Sequence, residues 1–139
     1  MTARVSVDEV NAFLDETFGS AGNRARVATL EDGRAVMRLE VSAEHLRPGN
    51  YISGPTQMTL ADSVTYAAIF TRRGIVPMTV TTNLNINFLR PCIGQVVIAE
   101  AQLMKLGRTL AVAEVEIRAE DSPRIASHAI VTYAIPAED

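Results

Sequence analysis

The segment Ser53-Gly54-Pro55-Thr56-Gln57-Met58-Thr59-Leu60-Ala61-Asp62-Ser63-Val64-Thr65-Tyr66-Ala67-Ala68-Ile69-Phe70 carries two kinds of chemistry on one predicted helix. Gly54 opens it. An N–H at that position is one of the donors a helix leaves unpaired, at the positive end of the macrodipole. Such a donor can polarise a carbonyl and stabilise an oxyanion. A glycine there can equally serve only the tight turn into the helix. Pro55 cannot donate, and it suits the first helical turn, where its missing N–H would be unpaired anyway. Asp62 is a lone carboxylate in an otherwise apolar body. Burying an unpaired carboxylate costs several kcal/mol, about 2–7 or more. Asp62 is therefore either satisfied by hydroxyls such as Thr59, Ser63 or Thr65, or used as a general base or nucleophile. From Gly54 to Asp62 the helix rises about 12 Å at ~1.5 Å per residue. One small reacting group cannot touch both. If both act in one reaction, Asp62 must face the Gly54 of a second copy.

Other reactive side chains are sparse. Cys92 is the single cysteine, so an internal disulfide framework is excluded, and it reads as a small buried residue beside Pro91. His45 and His128 are isolated in sequence; no Ser-His-Asp arrangement, metal-ligand cluster or phosphate-cradling glycine loop is visible. Asn83, Asn85 and Asn87 alternate with Leu84, Ile86 and Phe88, which places the asparagines on one strand face, either solvated or meeting a polar partner.

The elements that must position these groups follow from periodicity. Ser6 and Glu9 form a capping-box pattern for an N-terminal helix within residues 1–22, with Val10, Phe13, Leu14 and Phe18 along one face and Gly19 and Gly22 ending it. Strands are predicted over 24–30 and 35–41 around a Glu31-Asp32-Gly33 turn, followed by a loop over 46–52. The central helix is predicted over 54–73, with Arg72 and Arg73 at its C-terminal end and Gly74 closing it. Four strands follow, over 76–89, 95–106, 109–119 and 124–134, joined by short connections that require antiparallel pairing. Tyr66 to Phe70 leave no polar face on their turn, so that helix must be covered on most sides. A curved antiparallel sheet wrapped around one long central helix does this. The layout is α+β, in a single domain over 1–139.

Composition narrows the function further. A formal charge of -3 gives no electrostatic case for nucleic acid or for an anionic membrane. No apolar run reaches the roughly 20 residues that span a bilayer. The start MTARVSVDEVNAFL has no signal-like apolar block, so a cytoplasmic protein is expected.

Three motifs on these elements resemble one family. Arg47-Pro48-Gly49 with Ser53-Gly54-Pro55 and Leu60-Ala61-Asp62 is similar to the helix-start segment of hotdog-fold acyl-CoA thioesterases, in the PaaI-like branch of the 4-hydroxybenzoyl-CoA thioesterase superfamily. The strand Thr79 to Pro91 and the turn Leu106-Gly107-Arg108-Thr109-Leu110-Ala111 resemble that family as well. The resemblance spans roughly residues 25 to 135 and implies a hotdog fold assembled as homodimers or homotetramers. It implies a site at the dimer interface, with carboxylate and oxyanion donor from different chains. Asp62, Gly54 and Thr81 are then the catalytic candidates, Thr81 standing where some members carry a Ser or Thr that orients the attacking water. Asn50, Ser53, Gln57, Arg47, Gly107, Arg108 and Arg90 are the substrate-binding candidates. The arginines among them suit the phosphates of coenzyme A, which enters as part of the substrate and not as a separate cofactor. Two positions depart from the family: Ser53 replaces its usual histidine, and Arg47 its usual asparagine. The expected function is therefore hydrolysis of a small or medium acyl-CoA. The alternative is a non-catalytic hotdog module that binds an acyl-CoA or related ligand.

Overall fold

The structure is a computed structural model that describes residues 2–19 and 24–137. Helix α1 (Val7–Phe18) begins with the capping box: Ser6 Oγ accepts from the Glu9 N–H at 3.1 Å, and Glu9 Oε1 accepts from the Ser6 N–H at 3.0 Å. It is shorter than the stretch to residue 22 that the sequence suggests. Gly19, at φ 89, takes the chain out of the helix, and Gly22 lies outside the described residues. Val10 and Leu14 are buried, and the Phe13 ring packs edge-on to Phe70 at 5.7 Å.

Strands β1 (Arg26–Glu31) and β2 (Arg34–Glu40) form a hairpin at Gly33, whose φ of 75 suits the turn. The expected loop over 46–52 holds two short paired strands instead, β3 (Leu46–Arg47) and β4 (Tyr51–Ile52). Gly49 and Asn50, both at positive φ, supply the tight reversal that lets them pair. Helix α2 runs from Gly54 to Arg73. Strands β5 (Val80–Phe88), β6 (Val96–Leu106), β7 (Leu110–Ala119) and β8 (Ser127–Ala134) complete the chain. β5 starts later than residue 76 because Thr79 closes a turn, its N–H and Oγ both bonding the Val76 carbonyl. β8 starts at Ser127, after the Ser122-Pro123 turn region.

The large sheet has the order β1-β2-β6-β7-β8-β5, antiparallel throughout. Its inner face carries many small residues, among them Ala99, Ala101, Ala111, Ala113 and Ala129, all buried. Small side chains there let the sheet curve closely around α2, where Val64 to Thr71 are buried without a break. This is the hotdog arrangement. β5 is an edge strand, paired only with β8. At its far end the inner face runs past the cover of α2, leaving Phe88 about half exposed. No described helix is long and apolar enough to cross a membrane.

Candidate active site

The Gly54 end is built by the first turn of α2. Ser53 is the N-cap: its Oγ accepts from the Thr56 N–H at 3.2 Å, and its carbonyl from the Gln57 N–H at 3.1 Å. Pro55 has no N–H to offer. That leaves the Gly54 N–H as the donor of this turn with no bond to another described residue. It opens on a cavity of about 460 Å³ walled by Arg47, Tyr51, Gln57, Phe88 and Arg90. Gln57 is 4% exposed; its Nε2 donates to the Ile52 carbonyl at 3.1 Å, while Oε1 is buried with no partner. Arg90 Nη1 donates to the Ile125 carbonyl. Asn50 sits on the adjoining β3–β4 turn, its N–H bonded to the Arg47 carbonyl at 3.1 Å, and its side chain does not line the cavity.

The Asp62 end lies further along α2. Asp62 is half-buried, not buried as its apolar neighbours in sequence suggest. Its local partners are not Thr59, Ser63 or Thr65; Thr65 Oγ donates to the Ala61 carbonyl at 2.9 Å instead. Two hydroxyls from the sheet converge on Asp62 Oδ1, Thr81 Oγ at 2.5 Å and Tyr133 Oη at 2.8 Å. Tyr133 Oη is also 2.9 Å from the Asp62 carbonyl. Oδ2 takes no bond from a described residue. The register explains the convergence: Thr81 on β5 stands directly opposite Tyr133 on β8, just before a bulge in β5. Tyr133 is buried and stacks on Tyr66 with ring centroids 5.9 Å apart. Burial pushes its phenol far above the ordinary value of 10.0; the Thr81 contact offsets part of this, and the Asp62 charge adds to it. The phenol therefore stays protonated, a permanent donor to the carboxylate.

Asp62, Thr81 and Tyr133 open on a second cavity, about 480 Å³, walled also by Leu14, Phe18 and Met37. It shares no lining residue with the Gly54 cavity. Within one protomer the two ends are thus separate half-sites. Gly107 and Arg108 lie apart from Arg47 and Arg90. Arg73 Nη2 donates to the Gly107 carbonyl at 2.5 Å, so this turn packs by the last residue of α2, about 28 Å from Gly54 at ~1.5 Å per residue.

The remaining reactive groups are occupied elsewhere. Cys92 is buried, and burial pushes its thiol up, away from a nucleophilic thiolate. His128 pairs with Glu114 at 2.8 Å, and His45 Nδ1 accepts from the Ser42 N–H at 2.9 Å. Among the described residues no cluster of His, Cys, Asp or Glu could hold a metal. Tyr133 is the site residue that sequence reasoning misses. Alternation along β8 places it on the inner face, but only the strand register brings it to Asp62.

The comparisons with known proteins agree with this architecture. The Thioesterase superfamily model matches residues 49–126, more than half of the chain. A candidate thioesterase from Silicibacter sp. TM1040 is 35% identical, with 98% of this chain and 95% of that one covered at a TM-score of 0.88. A single-residue variant of the phenylacetic acid degradation protein PaaI from Thermus thermophilus is 26% identical, covering 90% of this chain and 99% of that one at a TM-score of 0.71. A candidate esterase of Saccharolobus solfataricus is 29% identical over 128 residues, which are 92% of this chain and 84% of that protein. The chain belongs to the thioesterase superfamily, as a hotdog-fold protein of the PaaI-like kind.

Proposed function

We propose that this protein hydrolyses acyl-CoA thioesters at sites completed by two copies of the chain, each supplying one half. The observation that carries this reading is the Asp62 carboxylate. Thr81 and Tyr133 hold Oδ1 while Oδ2 is left open beside a cavity. A carboxylate fixed by one oxygen and free at the other is placed to act on water or on a carbonyl carbon. In the water route, Asp62 takes a proton from water, whose oxygen bonds to the thioester carbon. The resulting oxyanion accepts from the Gly54 N–H of the second copy. Its collapse breaks the C–S bond, and Asp62 returns its proton to the departing thiolate, so that thiol and carboxylic acid leave and the carboxylate is restored. In the nucleophile route, Asp62 Oδ2 bonds to the thioester carbon and the C–S bond breaks with loss of the thiolate; water then cleaves the mixed anhydride, its oxygen going to one carboxyl and a proton to the thiolate, which restores the Asp62 carboxylate.

The exposed edge of β5 supports a second copy. Exposed Met78 and Val80 flank it at the Asp62 end and exposed Phe88 and Leu89 at the Gly54 end, with exposed Thr82, Asn83, Asn85 and Asn87 between them. Open strand edges pair with another chain unless blocked. A homodimer is the expected unit, with tetramers as a further level. Arg47 and Arg90 at the mouth of the Gly54 cavity suit the phosphates of coenzyme A, with Asn50 on the turn beside them. Ser53 and Gln57 stand closer to the thioester end. Gly107 and Arg108 flank the sheet end near Thr81. Wild type, Asp62→Asn and Asp62→Ala, assayed by thiol release against short, medium and aromatic acyl-CoAs, test the reading. Turnover that both substitutions abolish is expected. Turnover undiminished in either variant, or none by wild type, overturns it.

A further inference from the structure

The apolar cavity beside Asp62 contains one charged group that catalysis does not use. Arg24 lines it together with Leu14, Phe18, Ala25 and Met37. It also lines a neighbouring cavity of about 310 Å³ with Leu39 and Leu60, which Asp62, Thr81 and Tyr133 do not reach. Arg24 stands just before β1, the edge strand opposite β5, which carries Thr81. Its Nη2 donates to Asp15 Oδ1 at 2.6 Å, but Nε and Nη1 find no acceptor among the described residues. Burying guanidinium donors without partners is unfavourable, and such groups are paired in most proteins. Asp15, the carboxylate it meets, is shared with Arg26, so two guanidiniums divide one partner. Arg38, the next arginine along the adjoining groove, is already engaged by Glu40 and Glu120.

From the orphaned donors, and from the sharing of Asp15 between two guanidiniums, we infer that the preferred acyl group ends in a carboxylate. The thioester lies at Asp62, the methylene chain along Leu14, Phe18 and Met37, and the far carboxylate on Arg24. The substrate class is the monothioester of a dicarboxylic acid with coenzyme A. This rests on the thioesterase reading above and adds to it the identity of the acyl end. A methyl-ended chain of the same length fills the same cavity but leaves the Arg24 donors unpaired. Sites built to bond a polar group discriminate strongly against analogues that lack it. Arg24 is a quarter exposed, so water softens the difference.

The test compares kcat/KM for matched pairs: succinyl-CoA with butyryl-CoA, adipoyl-CoA with hexanoyl-CoA, and suberoyl-CoA with octanoyl-CoA. Wild type is expected to favour the carboxylated member of at least one pair by ~10-fold or more. Arg24→Met, which keeps most of the length of the side chain and removes its donors, is expected to lose or reverse that preference. The ratio is internal to each preparation, so partial unfolding does not mimic the result. Equal or better use of the methyl-ended members by wild type overturns the inference, as does a preference that survives in Arg24→Met. Calorimetric titration of wild type with free adipate and free hexanoate gives a readout independent of turnover and of any variant. Adipate binding with none by hexanoate supports the inference; equal binding of the two, or none of either, overturns it. Methyl-ended turnover without carboxylate preference sinks this inference alone, while absence of all turnover sinks the thioesterase reading.

Discussion

Tyr133→Phe isolates the contribution of one hydroxyl to the candidate site. The substitution keeps the ring, its burial and its stacking on Tyr66, and removes only the donor that lies 2.8 Å from Asp62 Oδ1 and 2.9 Å from the Asp62 carbonyl. Hydrogen bonds to charged acceptors contribute about 1.5–3 kcal/mol. Asp62 is half-buried, so water replaces part of the lost bond, and the lower end, about 1.5 kcal/mol, applies. If that energy orients the carboxylate for reaction, it corresponds to about a tenfold loss in kcat. The effect on KM is small, because the phenol hydroxyl is engaged by Asp62 and is not offered to the substrate. The cost to folding is about 1.5 kcal/mol, a shift of roughly 5 °C in Tm for a domain of this size. The assay is steady-state thiol release at saturating acyl-CoA, with Tm measured on the same sample. Thr81→Val removes the other donor to Oδ1, and the two losses should not add, since both act on one atom. A Tyr133→Phe protein with kcat within twofold of wild type refutes the reasoning. So does a loss that falls entirely on KM.

Three further outcomes follow from the same geometry. Gly54→Pro deletes the candidate oxyanion donor; Ser53 at φ -67 and ψ 155 already has the conformation that precedes proline, but residue 54 is itself helical before Pro55, so Tm is measured alongside activity. Gly54→Pro and Asp62→Ala should each be inactive as homodimers, and co-expression should restore activity through mixed dimers holding one intact site; no recovery in purified mixed dimers would place both groups in one protomer. Asp15 has its carboxyl held below the ordinary 3.8 by its bond to Arg26, with the charges of Arg26 and Arg24 adding to this against desolvation. A lowered folded-state value stabilises above the unfolded value, and the gain is lost as pH falls through 3.8 and on through the folded value; Asp15→Asn should flatten Tm against pH in that acid window and leave the slope near neutrality unchanged. Phe70 is fully buried between α1 and the sheet, so Phe70→Ala should destabilise by about 3–5 kcal/mol in urea unfolding.

What could be read before any coordinates was the part written in periodicity. The unbroken apolar run of α2, the alternating strands and their short connections allow one layout, a sheet curved around a helix. The helix rise alone separates Gly54 from Asp62. The boundaries that shifted did so where short-range bonds outrank pattern. Thr79 folds back on Val76 and delays β5, and the positive φ at Gly49 and Asn50 lets four residues of an expected loop pair as strands.

Tertiary register is the information that pattern lacks. Asp62 and Tyr133 are 71 residues apart, and Tyr133 and Thr81 belong to strands that are neighbours only in the folded sheet. Nothing local marks any of the three as partners. The same holds for Arg24, whose orphaned nitrogens become visible only once α1, β1 and α2 close a cavity around them. The carboxylate legible in the sequence is thus half of the chemistry. The groups that orient it, and the one that would select its substrate, come from strand pairing and helix docking, which is why changes at Tyr133 and Arg24 should separate rate from specificity. Tyr133→Phe should lower kcat on every acyl-CoA alike, and Arg24→Met should change the ranking among them; a Tyr133→Phe variant that re-ranks substrates would show that the two functions share one set of contacts.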